Sequence, residues 1–149
     1  MAGIDDKDMH ILEVLKRNAK LSINKIAKKT GIPVATVHHR IKKLEADGVI
    51  EGYTVKIDKK KLGRNVVGYI LIKVNYPTGE HIDQEEIIQR LSKHEYVDDA
   101  STLTGDVDII LKFSVPSIDE LNKFLLKYIR ELKGVGETKT LISLKNVEK

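Results

Sequence analysis

Between Ala35 and Lys43 the chain sets Thr36, His38, His39, Arg40, Lys42 and Lys43 around Val37, Ile41 and Leu44, apolar residues that recur at steps of four and three. In a helix this spacing gathers the apolar side chains into one buried stripe and turns the others outward, Ala35 among them. Hydroxyl and imidazole groups hydrogen-bond to base edges, cations neutralise phosphates, and the major groove of B-DNA admits a helix. Thr36, His38 and His39 are therefore candidate base readers. Arg40, Lys42 and Lys43, with Lys28 and Lys29 from the segment before, are candidate phosphate contacts. The chemistry implied is recognition of double-stranded DNA.

The elements that must position these groups can be read around them. Ser22 can cap a short helix whose apolar face is Ile23, Ile26 and Ala27, and Gly31 can end it in the left-handed region. Ala27 lets the second helix approach closely. An earlier helix opens at Asp5 or Asp6, with Met9, Ile11, Leu12 and Leu15 inward and acidic residues 5, 6 and 8 at the positive end of its dipole. The run VIEGYTVKID alternates apolar and polar residues and reads as a short strand, a wing or hinge, and KKKLG at Lys59 to Gly63 reads as an exit into a linker. These limits give a helix-turn-helix head over residues 1–53 and a strand and linker over 54–65.

From Val66 the period changes. VVGYILIKV is a strand, Asp83 to Lys93 a helix with Ile87, Ile88 and Leu91 inward, and Tyr96 to Leu103 and Asp108 to Val115 are further strands. Ser117 with Glu120 three residues on is a capping-box signature, opening a helix with Ile118, Leu121, Leu125, Tyr128 and Leu132 on one side; Glu137 to Lys145 is the last strand. The order βαββαβ over residues 66–149 is the ferredoxin-like arrangement, and the whole chain is of the α+β class. Helices cover one face of such a sheet. The other face should then be polar in a monomer, but Tyr69 and Leu71 oppose Ile70, Ile72 and Val74 on the first strand, Ile110 opposes Ile109, Leu111 and Phe113 on the third, and Leu141 opposes Ile142 and Leu144 on the fourth. A partner sheet is the simplest cover, so a homodimer is expected. Two-fold symmetry would present two heads to one pseudo-palindromic site.

Composition narrows the function further. Of the 149 residues, 41% are apolar, enough for a core, and no apolar run approaches membrane-spanning length. The start, MAGIDDKDMHILEV, has no secretory-signal pattern, so a cytoplasmic location without membrane attachment is expected. The formal charge of +4 divides unevenly: residues 1–64 carry 15 Lys or Arg against 8 Asp or Glu, and residues 65–149 carry 11 against 14. Only the first half is built to attract a polyanion. With no cysteine, disulfides, thiol nucleophiles and cysteine-zinc sites are excluded. His38 and His39 are neighbours in sequence and diverge by about 100° on a helix, so they do not share a metal. Asp98 with Asp99, and Glu85 with Glu86, face apart and lack a nucleophile or phosphate loop. Neither enzyme activity, a cofactor nor a metal is expected.

These residues resemble the Lrp/AsnC (leucine-responsive, feast/famine) family of bacterial and archaeal transcription regulators, and the archaeal type in particular. The resemblance rests on IDDKDMHILEVL at the start, IAKKTGIPVATVHHRIKKLEADGVIEGY through the head, and TGDVDIILK at residues 104–112. It implies a winged helix-turn-helix head, a ferredoxin-like RAM domain that senses a ligand, dimers that assemble further, and control of promoters by amino acids or related metabolites. By the same resemblance the effector site falls on Thr104, Gly105, Asp106, Val107 and Asp108, with Thr138 and Thr140 on the facing strand. Backbone N–H groups of such a turn can hold a carboxylate and an aspartate can hold an ammonium. A plain β-turn at Gly105-Asp106 is the other reading of the same residues. Pro33 stands where the family usually has Ser; it cannot cap with its side chain but suits the first helical turn.

Besides a ligand-responsive regulator, two other readings stay open on the sequence: a DNA-architectural protein without an effector, and a regulatory subunit of an enzyme whose head is an interaction module.

Overall fold

The computed structural model describes residues 3–79 and 81–145. The chain separates into two compact units, Met1–Ile57 and Asp58–Lys149.

The first unit holds three helices, α1 (Asp6–Arg17), α2 (Ile23–Thr30) and α3 (Val34–Ala46). Their core is Ile11, Leu15, Ile26, Ala27, Ile32, Val37 and Ile41. Asp5 caps α1, accepting from the N–H groups of Lys7 and Asp8, while the Asp8 carboxylate accepts from the Asp5 N–H, a complete capping box. The buried stripe of α1 is Asp8, Ile11 and Leu15, so it begins on a carboxylate; Met9, expected inward, is 50% exposed. Ser22 caps α2, and Gly31 ends it at φ 70° with its N–H donating to the Ala27 carbonyl. Pro33 sits at the N-cap of α3 without a side-chain cap, one position earlier than the first helical turn expected for it. The expected strand at VIEGYTVKID does not form: residues 51–58 adopt neither helix nor strand and are exposed. An isolated β-like segment needs a neighbouring strand for its N–H and C=O groups, and none lies beside it among the described residues.

The second unit is an antiparallel four-stranded sheet in the order β2-β3-β1-β4, formed by β1 (Val66–Val74), β2 (Val97–Thr102), β3 (Ile109–Val115) and β4 (Val135–Ile142). With α4 (Gln84–Ser92) between β1 and β2 and α5 (Ile118–Phe124) between β3 and β4, this is the expected ferredoxin-like topology. Facing pairs share a side of the sheet: Ile70 with Leu111 and Ile72 with Ile109 lie under the helices in a core that also holds Phe113, Leu91, Phe124 and Ile129. The pairs Tyr69 with Leu141 and Leu71 with Ile110 lie on the opposite side.

After α5 the chain makes a π turn, Leu125–Ile129, in which the Arg130 N–H donates to the Leu125 carbonyl at 3.0 Å. This wider turn places Leu121, Phe124 and Ile129 in the core, leaves Leu125, Tyr128 and Leu132 half-buried, and puts Ile118, expected inward, at 55% exposure. Among the described residues no helix is long and apolar enough to cross a membrane.

Candidate functional site

The reading surface is built on α3. Val37, Ile41 and Leu44 are buried. Ala35, His38, His39, Lys42 and Lys43 are exposed, Thr36 is half-buried, and Lys28 and Lys29 are exposed in the last turn of α2. The outward face therefore carries two imidazoles and two ammonium groups, with the α2 lysines on the adjoining element of the same unit.

Arg40 departs from that arrangement. Its Nη1 lies 2.8 Å from Asp5 Oδ1 and 2.8 Å from Asp8 Oδ1, across the helix pair rather than toward solvent. Its side chain is 24% exposed. The acidic residues at the start of α1, expected only to complement the helix dipole, thus also seat a guanidinium. The backbone N–H of Asp8 holds the Asp5 carboxyl below its ordinary range, opposed by burial and aided by the guanidinium of Arg40. The carboxylates of Asp8 and Asp5 in turn raise the Arg40 guanidinium. Arg40, expected to point outward, is here an interhelical tie to the start of α1.

In the second unit the turn between β2 and β3 exposes Thr104, Gly105 and Asp106, while Val107 and Asp108 are half-buried. Gly105 has φ 123°, a conformation that L side chains rarely adopt. Asp108 already has partners: its Oδ2 accepts from the Val74 N–H at 2.7 Å and its Oδ1 from Gln84 Nε2 at 3.3 Å. Its backbone N–H donates to the Ile72 carbonyl and its carbonyl accepts from Leu103. Asp108 therefore ties the turn to the end of β1 and the start of α4.

Thr138 and Thr140 face Ile72 and Ile70 across β1, so β1 stands between them and β3, where the turn leads. The Thr138 hydroxyl accepts from Arg130 at 3.4 Å. Turn and threonines thus lie at separate places on the sheet within one chain. A small cavity of about 130 Å³ is lined by His81, Asp83, Glu86, Arg90 and Lys133 over Ile82 and Ile87, and includes none of the expected effector residues.

Three constellations were invisible at the level of sequence. One is the Arg40 tie to Asp5 and Asp8. A second is Lys59, which pairs with Asp98 while Ser114 Oγ hydrogen-bonds to the same carboxylate oxygen at 3.1 Å. Lys59 was read as linker; it is bound to the second unit, as is Arg64 through the Glu95 carbonyl and carboxylate. The third is His94, whose ring packs at 4.3 to 5.1 Å from those of Tyr96, Phe124 and Tyr128. Burial among those rings pushes its imidazole down from the ordinary value.

Comparison with known proteins agrees with this geometry. Residues 4–51 match the winged helix-turn-helix DNA-binding model, and residues 69–149 match the Lrp/AsnC ligand-binding domain. An uncharacterized HTH-type transcriptional regulator of Pyrococcus furiosus is 36% identical over 145 residues, covering 97% of this chain and 95% of the relative. The structure of Escherichia coli AsnC superposes with a TM-score of 0.84 at 31% identity, covering 99% of this chain and 96% of that one. A Neisseria meningitidis transcriptional regulator in complex with L-Met shares the fold, with a TM-score of 0.89 at 20% identity, covering 99% and 94% of the two chains. With a DNA-binding head ahead of a ligand-binding sheet, matched along nearly its full length, the chain belongs to the Lrp/AsnC family of helix-turn-helix transcription regulators.

Proposed function

We propose that this protein is a sequence-specific regulator of transcription that acts in the cytoplasm as a homodimer or an assembly of dimers and responds to an amino acid or a related small effector. The observation that carries the reading is the α3 surface, where exposed His38, His39, Lys42 and Lys43 stand on a buried Val37, Ile41 and Leu44 stripe. Residues 1–53 form the head in this reading, 54–65 connect, and 66–149 sense and dimerise. Thr36, His38 and His39 read base edges with Ala35 at van der Waals distance, and Lys28, Lys29, Lys42 and Lys43 meet phosphates.

The open face of the sheet supports the dimer. Tyr69 is 36% and Leu141 44% exposed there, beside half-buried Leu71 and Ile110, an apolar surface that the described residues of the unit leave open. The effector reading places Thr104, Gly105, Asp106 and Asp108 of one chain opposite Thr138 and Thr140 of another, since a single chain holds them apart; the L-Met complex of the Neisseria relative supports an amino acid as ligand.

Footprinting on genomic DNA, repeated with each amino acid that raises the melting temperature of the protein, tests the proposal. Discrete footprints whose affinity changes with that amino acid are expected. Uniform coverage with no thermal response to any amino acid would replace this reading by that of a DNA-architectural protein.

A further inference from the structure

We propose that Arg40 is a positioning residue for DNA recognition: through Asp5 and Asp8 it fixes the angle at which α3 is presented, and it does not itself meet DNA. The inference rests on the DNA-binding reading above.

The geometry points one way. Arg40 stands about 60° around the helix axis from Val37, at the margin of the buried stripe. His39 and Lys42, by the same step of about 100° per residue, lie on the opposite side. A side chain at the margin reaches the neighbouring helix, and here it meets two carboxylates at 2.8 Å each. Asp8, itself only 8% exposed, is further fixed by accepting the Asp5 N–H at 3.1 Å. Asp5 is fixed by the N–H groups of Lys7 and Asp8 at 2.9 and 3.0 Å. The guanidinium therefore grips a pair of acids whose own positions are set by the capping box of α1. The core contacts of α3 are aliphatic and allow it to roll, since apolar packing lacks direction; a guanidinium between two fixed carboxylates resists that roll. The start of α1 then influences which bases are read without touching DNA.

The alternative, in which Arg40 leaves the acids to bind a phosphate, makes the opposite forecast for the acids. Neutralising Asp8 would free the arginine and add positive charge to the head. Affinity would then rise at an unchanged salt slope, since the phosphate met by Arg40 is already counted in the wild type, and Arg40→Gln would lower the slope by about 0.9 per head.

The test uses the full-length chain and a duplex selected from a random-sequence pool by the wild-type protein, with a scrambled duplex as the non-specific probe. Asp8→Asn and Asp5→Asn each remove a charge that Arg40 uses, and asparagine at position 5 keeps a capping oxygen. The expected result is that affinity for the selected duplex falls about tenfold in each variant. Affinity for the scrambled duplex and its salt slope should stay as in the wild type, because the exposed lysines remain. Arg40→Gln should match Asp8→Asn, and the double variant should be no weaker than either. Should Asp8→Asn fold poorly, Asp5→Asn carries the comparison, since its site is at the surface.

Tighter binding in either acid variant overturns the proposal, as does a shallower salt slope in Arg40→Gln, unchanged discrimination between the duplexes, or an equal loss on both. If the wild type selects no sequence from the pool, the DNA-recognition reading fails, and this inference with it. If it selects one and the acid variants discriminate as it does, only the positioning role fails.

Discussion

In the proposed reading four exposed lysines, Lys28, Lys29, Lys42 and Lys43, form the phosphate-binding set once Arg40 is assigned to the α1 tie. Each neutralised phosphate releases condensed counterions, so log K falls by about 0.9 per lysine for each tenfold rise in salt. One head then has a slope of about −3.6, and its affinity falls about 150-fold between 50 and 200 mM salt. Replacing Lys42 and Lys43 by alanine leaves a slope of about −1.8 per head and a fall of only about twelvefold over the same range. Fluorescence anisotropy on a labelled duplex at four or five salt concentrations reads both slopes. The folded head should be unaffected, because neither lysine is in the core. A slope that stays near its wild-type value in the double variant would refute the reasoning, because phosphates would then be met by other groups.

Further outcomes follow from the second unit. A methyl group on Gly68 would lie 2.1 Å from the Leu141 carbonyl oxygen and 2.8 Å from the Phe113 ring, so Gly68→Ala should destabilise the sheet. Overpacking of this kind costs about 1–3 kcal/mol in a denaturant titration, and a loss below a few tenths would contradict the geometry. Asp108→Ala leaves the Val74 N–H without its acceptor. A loss of about 1–3 kcal/mol is expected by the same measurement, with or without an effector. His94 has its pKa pushed below the ordinary 6.5, so the unfolded chain takes up a proton first as pH falls. The stability of the second unit should therefore decline as pH drops below 6.5 and through the lower folded value, and His94→Gln should flatten that decline. Leu71→Asp would bury an unpaired carboxylate between sheets and weaken a dimer by about two orders of magnitude or more in sedimentation experiments; an undiminished dimer would place the interface elsewhere.

The elements that depend on local periodicity were legible in the sequence. Val37, Ile41 and Leu44 mark a buried stripe by spacing alone, and the change to alternating apolar residues after Val66 marks the sheet. The caps at Ser22 and Ser117 follow from short-range chemistry and are present as expected. What escaped depends on partners distant in sequence. Arg40 and Asp8 are 32 positions apart, Asp108 and Val74 are 34 apart, and no local pattern connects either pair. A clue to the first lay in the acids at 5 and 8: residues three apart share a helix face and can form a seat as well as a dipole partner. Met9 was misplaced because the α1 stripe begins on a charged residue, which apolar counting passes over. The hinge strand failed for a related reason: alternation marks a strand's faces but does not provide its hydrogen-bonding neighbour.

The π turn at Leu125–Ile129 has a consequence for chain length. Its i→i+5 bond fits one more residue into the turn than an α-helix holds, so removing an exposed residue there, such as Leu126, would let an uninterrupted α-helix form with what lies beyond it turned by only about 10°. Ile129 would stay in the core, and Tyr128 would keep the Arg90 carbonyl to which its hydroxyl donates at 2.6 Å. The entry of β4 beside β1 would be kept with them. The turn thus absorbs a surplus residue at the expense of local regularity, and a shortened chain would regain that regularity without unseating the final strand.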